Sequence, residues 1–373
     1  MELKGIKVNN YKSLIDYSLK GFSPVSILYG ENNAGKSNVL ELISIIFKRK
    51  KQFNGEELTD QLINFYTGVL EDFNYSFFEN ETANEITFTI DLTSNTKNCK
   101  VSDSDIKDVL GKTRNDELDF NFYGSIKHIQ NSKNLALFEI ERVQIDEIIA
   151  YTNNEKDGIH FFPEADSKKV NQSRYNQLFE SLIEQFDDCV FFVPSHRDML
   201  PIKFGSELEE IISPVKFKQF LYSLSLNEAQ YDVFESINEI FDSEPFSFGN
   251  ISFSKIDDEL EIMVQKDGIR LPIKSLGSGV LQILYIIACI IYSKKEIICL
   301  EELEQNLSPK NQDLAIKKLK SLIRRDEAPN QIIISSHSPY FYEKNDKNSS
   351  YLLAKEGSRT VRKARNGEYP KKD

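Results

Sequence analysis

Apolar and polar positions follow two rhythms along this chain. Near both ends, short unbroken apolar runs alternate with helical spacing. Val25–Tyr29, Ile297–Leu300 and Gln331–Ser335 read as buried strands, and Asn38–Phe47, Val280–Tyr292 and Lys310–Arg324 as helices. Asn38–Phe47 carries apolar residues on nearly every face, as a helix packed on a sheet does. In between, Glu85–Leu92 (EITFTIDL) alternates strictly, the pattern of a half-buried strand. Leu118–Ile129 and Leu135–Ile145 predict a further hairpin or meander. Asn171–Asp187 predicts a helix leading into a short strand at Cys189–Val193. Residues 206–242 predict two helices parted near Leu226, and Ile251–Val264 a hairpin turning at Asp257-Asp258. The first 30 residues read as strand, turn, strand, residues 50–80 are polar and aromatic with a weak pattern, and a short β tail closes the chain. Strand–helix alternation at both ends predicts one α/β core interrupted by long insertions. The expected divisions fall at 1–49, 50–188 (β-rich with a helical arm), 189–274 (a helical lobe) and 275–373.

The 373 residues suffice for one large domain or two ordinary ones, and 40% hydrophobic content supports a sizeable core. The longest nearly apolar stretch, Val280–Tyr292, falls short of the roughly 20 residues of a membrane span, and the N-terminus has no signal-peptide pattern. The expectation is a cytoplasmic protein with no membrane partner. Fifty-eight acidic against 46 basic residues give a net charge of −12. That disfavours a surface that coats nucleic acid everywhere and leaves room only for a local basic groove. No CxxC pair occurs among the four cysteines, and the four histidines are scattered, so neither a disulfide framework nor a zinc site is expected.

Gly30-Glu31-Asn32-Asn33-Ala34-Gly35-Lys36-Ser37 fits G-x4-G-K-S, with a strand before it and a helix after it. Two glycines let a loop turn its N–H groups onto a phosphate, and the helix that starts near Lys36 adds its positive end. Lys36 can reach the β and γ phosphates, and the Ser37 hydroxyl can ligate Mg²⁺. The ordinary alternative is a glycine turn with a helix-capping serine. Ile297–Leu300 ends in Glu301-Glu302, at the edge where α/β ligands bind. There Glu301 would hold Mg²⁺ through a water and Glu302 would accept the proton of an attacking water; acids also follow strands simply as helix caps. Ile332-Ile333-Ile334 leads to Ser335-Ser336-His337-Ser338-Pro339, whose histidine could meet a γ-phosphate or merely cap the turn before Pro339. Ser275-Leu276-Gly277-Ser278-Gly279 opens the most apolar helix. Its free N-terminus is a second anion site, too far in sequence from Gly30 to need the same nucleotide, or else a glycine turn that starts a helix.

Taken in order, these segments resemble the ATP-binding cassette heads of the RecF, SMC and overcoming-lysogenization-defect (OLD) ATPase group. Val8–Leu14 (VNNYKSL) is similar to the group's opening strand, Gly30–Ser37 to its Walker A loop and Phe192–Arg197 (FVPSHR) to an Ile-Pro-Ala-Glu-Arg segment. Ser275–Gln282 is similar to the signature, Glu301–Pro309 (EELEQNLSP) to the Walker B and D-loop run, and Ser336–Pro339 to the switch histidine. The resemblance implies an α/β head with a mixed sheet around the P-loop, an antiparallel β subdomain and a helical lobe. It implies ATP and Mg²⁺ held by Lys12, Gly30, Asn32, Asn33, Ala34, Gly35, Lys36, Ser37 and Asn38, with Glu301 on the metal. Catalysis falls to Lys36, Glu302 and His337. Two copies would sandwich ATP, Ser278 and Gly279 of one meeting the γ-phosphate of the other, as a homodimer or a higher oligomer.

Three departures stand out. Glu301 replaces an aspartate, Leu303 replaces a proline and is expected to loosen the turn, and Lys12 replaces an arginine, losing the planar fork. Slow turnover is expected. OLD nucleases carry a Toprim domain of about 100 residues after the switch histidine. Here 36 residues follow His337, and the one Asp-x-Asp, Asp103 and Asp105, reads as a solvated loop. No long coiled coil of the SMC kind is patterned. The expectation is a regulatory ATPase that controls a separate effector (a nuclease or other toxin), as in anti-phage systems of the Septu or PARIS type. A RecF-like DNA-binding repair factor is the alternative; a transporter subunit and an ATP-gated scaffold are less favoured. Lys48-Arg49-Lys50-Lys51 and the tail from Glu343, net +4, read as solvated charge or partner contacts.

Overall fold

The computed structural model describes residues 1–47, 67–70, 85–95, 104, 107, 113, 116–128, 136–146, 148–154, 158–161, 186, 189–195, 216–256, 259–323 and 329–363. In chain order the strands are β1 (Glu2–Asn9), β2 (Tyr17–Lys20), β3 (Val25–Tyr29), β4 (Thr67–Leu70), β5 (Glu85–Asn95), β6 (Glu117–His128), β7 (Ala136–Ile145), β8 (Ile148–Asn154) and β9 (Gly158–Phe161). They continue with β10 (Val190–Val193), β11 (Asn250–Ile256), β12 (Glu259–Lys266), β13 (Ile269–Pro272), β14 (Ile297–Glu301), β15 (Gln331–Ser336), β16 (Ser350–Glu356) and β17 (Arg359–Lys363). The helices are α1 (Lys36–Phe47), α2 (Phe217–Leu226), α3 (Tyr231–Asp242), α4 (Ser278–Ser293), α5 (Pro309–Leu322) and α6 (Pro339–Lys344). Two compact units result. One takes the described residues of 1–23, 32–190 and 352–373, the other those of 24–31 and 191–351.

The first unit is built on an antiparallel sheet of order β2-β1-β5-β6-β7-β8-β9, with β4 also paired to β7. Alternation in each strand becomes rows across the sheet. Ile6 faces Ile90, Ile90 faces Phe122, and Phe122 faces Val143. All four are buried, and such cross-strand pairs are what stabilise a sheet. Gly124 has a steric reason: a Cβ there would lie 2.5 Å from the Phe88 ring, which stacks on Phe138 at 5.3 Å. Phe186 closes this face, edge-on to Phe120 at 4.8 Å and Phe122 at 4.9 Å. Helix α1 and the β16–β17 hairpin from Leu352 onward belong to the same unit.

The second unit centres on strands in the order β10-β14-β15-β3, with β14, β15 and β3 mutually parallel. Helix α4 is apolar on nearly all sides because it is buried on nearly all sides. Ile283, Leu284, Ile286, Ile287 and Ile290 sit in the core, each contributing about 1.5–3 kcal/mol on burial. Helix α2 meets it through Phe217 on Tyr285 and Phe220 on Tyr292, both edge-to-face. Helix α3 packs beside α4, and the small antiparallel sheet β11-β12-β13 completes the unit. The buried Lys318 ammonium of α5 donates to the carbonyls of Ser243 and Glu244 at 3.0 and 3.1 Å, closing the end of α3. Among the described residues no helix is long and apolar enough to cross a membrane.

The mixed α/β architecture agrees with expectation, and the main strands and helices fall within a few residues of the predicted ones. Six elements go beyond the sequence pattern: β2, β4, β8 and its partner β9, the edge strand β13 and the short helix α6. The expected helix at 171–187 (apart from Phe186), residues 206–215, Asp103, Asp105, His196, Arg197, Asp257-Asp258 and the basic run 48–51 lie outside the described residues.

Candidate active site

Parallel register decides what meets at the end of the second unit's sheet. Glu301 lies opposite Ser335, Ser335 opposite Leu28, and Ser336 opposite Tyr29. The three strands therefore end level, and their next residues leave together. Gly30 N–H donates to the Ser336 carbonyl at 3.3 Å, and Glu302 N–H to the Ser335 carbonyl at 2.9 Å. Gly30, Glu301, Glu302 and His337 thus share one carboxyl edge, the place where such sheets bind ligands.

The two acids differ in their surroundings. Glu301 ends the strand, and its Oε2 accepts from the backbone N–H of Ser195, just beyond β10, at 3.2 Å. Glu302 has a left-handed backbone, φ 43°, which costs a non-glycine residue about 1 kcal/mol or more. Its carboxylate accepts from Gln305 Nε2 at 2.5 Å. A turn follows, closed by Gln305 N–H on the Glu302 carbonyl and Leu307 N–H on the Glu304 carbonyl. Leu303, expected to loosen this turn, does not: it is buried in the core and the turn keeps both bonds.

Sequence reasoning gave Glu304 no role. Its side chain is buried, and Oε1 accepts the His337 backbone N–H at 2.7 Å while lying 3.0 Å from the imidazole Nδ1. The clue available in the sequence was a third acid in the Glu301–Glu304 run, but nothing there indicates its partner.

The Ser275–Gly279 segment enters α4 through Gly277, at φ 100°, with no side-chain cap. Ser278 is exposed and Gly279 buried. A Cβ on Gly279 would stand 2.6 Å from the Asn306 carbonyl oxygen, so the start of α4 lies directly against the turn after Glu302. Just upstream, Lys274 and Lys218 hold the buried Glu261 Oε1 at 3.1 and 3.2 Å. Burial pushes this carboxyl up, but the hydrogen bonds and charges of Lys274 and Lys218 together outweigh it and hold the group below the usual carboxylate range. A depressed folded-state value stabilises the fold above the unfolded value and stops doing so as pH falls through the folded one. Glu261→Gln should therefore melt earlier than wild type at pH 7, and the gap should close below about pH 4. A gap of constant size across that range, in melting curves taken from pH 3 to 8, would contradict this.

The rest of the phosphate loop lies in the first unit. Asn32, Asn33 and Ser37 are exposed, while Ala34, Gly35 and Lys36 are buried. Gly35 has φ 90°, and a Cβ there would fall 2.0 Å from Thr360 Oγ1 and 2.9 Å from Ser13 Oγ. These two hydroxyls bond each other at 2.7 Å, Thr360 N–H donates to the Ser13 carbonyl at 2.7 Å, and Asn38 Nδ2 donates to Ser13 Oγ at 2.8 Å. Asn38, expected at the nucleotide, thus also braces the loop through Ser13. Thr360 was not singled out at all. Lys12, at φ 50°, pairs with Glu41 of α1 and lies 5.5 Å from the Tyr11 ring centroid. The Tyr11 hydroxyl is pushed well up, first by burial and then by the charge and hydrogen bond of Glu41.

Comparison with known proteins follows the same lines. A protein of Helicobacter pylori (strain ATCC 700392 / 26695) named ATP/GTP phosphatase is 22% identical over 346 residues, covering 91% of this chain and 86% of that protein. Solved structures similar to the chain include the SMC head domain from Thermotoga maritima, at 14% identity and a TM-score of 0.49, covering 97% of this chain and 98% of that one. Another is an SmcHead bound to the C-winged helix domain of ScpA, at 12% identity, a TM-score of 0.49 and 98% coverage of each chain. The family described as AAA ATPase domain matches residues 1–342, which contain every one of the motifs above. The chain belongs to that family of ATPases.

Proposed function

We propose that this chain is a cytoplasmic regulatory ATPase that closes as a homodimer around ATP and thereby controls a separate effector, in bacterial anti-phage defence. The supporting observation is the shared sheet edge at which Gly30, Glu301, Glu302 and His337 meet. In this reading the loop N–H groups from Gly30 through Ser37 cradle the phosphates, and Lys36 neutralises the β and γ groups. Glu302 takes a proton from water as its oxygen attacks the γ-phosphorus, the bond to the β-phosphate oxygen breaks, and ADP and phosphate leave. His337 steadies the γ-phosphate, and Ser278 and Gly279 come from the second copy. The hydroxyl of Ser37, and the carboxylate of Glu301 through a water, would offer the hard oxygen chemistry that suits Mg²⁺. When bound, the ion would supply positive charge to offset the negative charge developing on the phosphates.

The test is purification from cells with the neighbouring genes intact, followed by mass measurement with and without ATP. A stable second protein, and ATP-dependent doubling of this chain, are expected. A chain that stays monomeric and alone under both conditions would overturn the regulatory part and leave the ATPase untouched. Binding to duplex DNA that weakens steeply with salt would favour the repair-factor reading instead.

A further inference from the structure

We infer that Glu304 is a positioning residue for His337: it holds the imidazole as the Nδ1–H form and leaves Nε2 as the nitrogen that works on the phosphate side. The inference rests on the proposed role of His337. Its geometric basis is one carboxylate oxygen that accepts the His337 backbone N–H at 2.7 Å and lies 3.0 Å from the ring Nδ1 of the same residue. An ionised carboxylate can only accept, so the ring nitrogen facing it carries the proton. A neutral imidazole has one N–H, and placing it on Nδ1 makes Nε2 the lone-pair nitrogen; in the imidazolium, Nε2 donates.

The residues on either side of His337 are already fixed without Glu304. Ser336 is the last residue of β15, and Ser338 N–H donates to Ser336 Oγ at 2.9 Å while the Ser338 hydroxyl bonds Gln312 Oε1 at 2.5 Å. The ring itself stands half in solvent, with 48% of its side-chain surface exposed. Orientation of that ring is what Glu304 adds. Its burial is costly for a merely structural cap, because Glu304 Oε2 is buried with no hydrogen-bond partner among the described residues. A neutral side chain could cap the His337 N–H with no buried charge, whereas a carboxylate also offers the ring proton a charged acceptor.

The experiment is ¹⁵N NMR of the histidine rings in the full-length protein, His337 being assigned from the spectrum of His337→Gln. At pH above the ring's titration, wild type should show His337 as the Nδ1–H tautomer, and Glu304→Ala should return it to the commoner Nε2–H form. Glu304→Ala should also lower kcat roughly tenfold to a hundredfold, as loss of a histidine's orienting partner does, with KM for ATP nearly unchanged. An Nε2–H tautomer in wild type would overturn the inference, and that measurement does not depend on the variant folding. Unchanged turnover in His337→Gln would instead remove the role proposed for the histidine, while the tautomer would still report on its contact with Glu304.

Discussion

Glu302→Gln should bind ATP as tightly as wild type and lose turnover by at least about a hundredfold, the usual scale for a general base. The substitution changes little else. The left-handed backbone at this position suits glutamine as well or as badly as glutamate, and a glutamine carbonyl can still accept from Gln305 Nε2. Thermal stability should therefore stay within about 0.5 kcal/mol of wild type. What disappears is the ability to take a proton from water. ATP then persists, and the mutant should accumulate as an ATP-loaded dimer in a mass measurement where wild type returns to its nucleotide-free state. Steady-state phosphate release is the deciding assay. Equal rates in mutant and wild type would show that the proton goes elsewhere, and Glu301, tied to the Ser195 N–H, would be the next carboxylate to examine.

Lys36→Ala should remove nucleotide binding itself. The ammonium belongs to a buried residue at the first position of α1, which has no acidic residue in its first turn to compete with a phosphate. Hydrogen bonds to charged groups contribute about 1.5–3 kcal/mol each. Losing two such contacts to the β and γ phosphates would weaken ATP binding by at least about a hundredfold. Alanine is a good helix former, so α1 itself should persist. Calorimetric titration with ATP, beside a circular-dichroism spectrum to confirm folding, separates a lost site from a lost fold. Wild-type affinity in the folded mutant would place the phosphates away from this loop.

Local patterning made some of this structure readable and long-range pairing made the rest unreadable. Strands β14 and β15 announce themselves because they are buried on both faces and need no alternation. Helix α4 is legible for the same reason. By contrast, β2 is four residues long with only two buried, β8 (IIAYTNN) turns polar halfway, β13 leaves Ile269 and Leu271 exposed at a sheet edge, and α6 is six residues opening on proline. None offers a period long enough to count. The candidate site divides in the same way. Gly30–Ser37, Glu301-Glu302 and His337 are visible because each ends or follows a strong local element. Glu304 is visible as an acid only, since its contact with His337 crosses 33 positions and follows from strand register. Asn38 is visible as the residue after the G-K-S run, yet its bond to Ser13 depends on packing that spacing does not encode.

The hydroxyl pair behind Gly35 joins positions 347 residues apart. During translation, then, the phosphate loop leaves the ribosome long before the residue that backs it. Every shorter nascent chain displays the glycine-rich sequence without Thr360 to steady it. Tight ATP binding is therefore expected only once Thr360 has reached the loop. Stalled chains released just before Arg359 should fail to retain ATP, and tight binding by them would show that the loop assembles unaided.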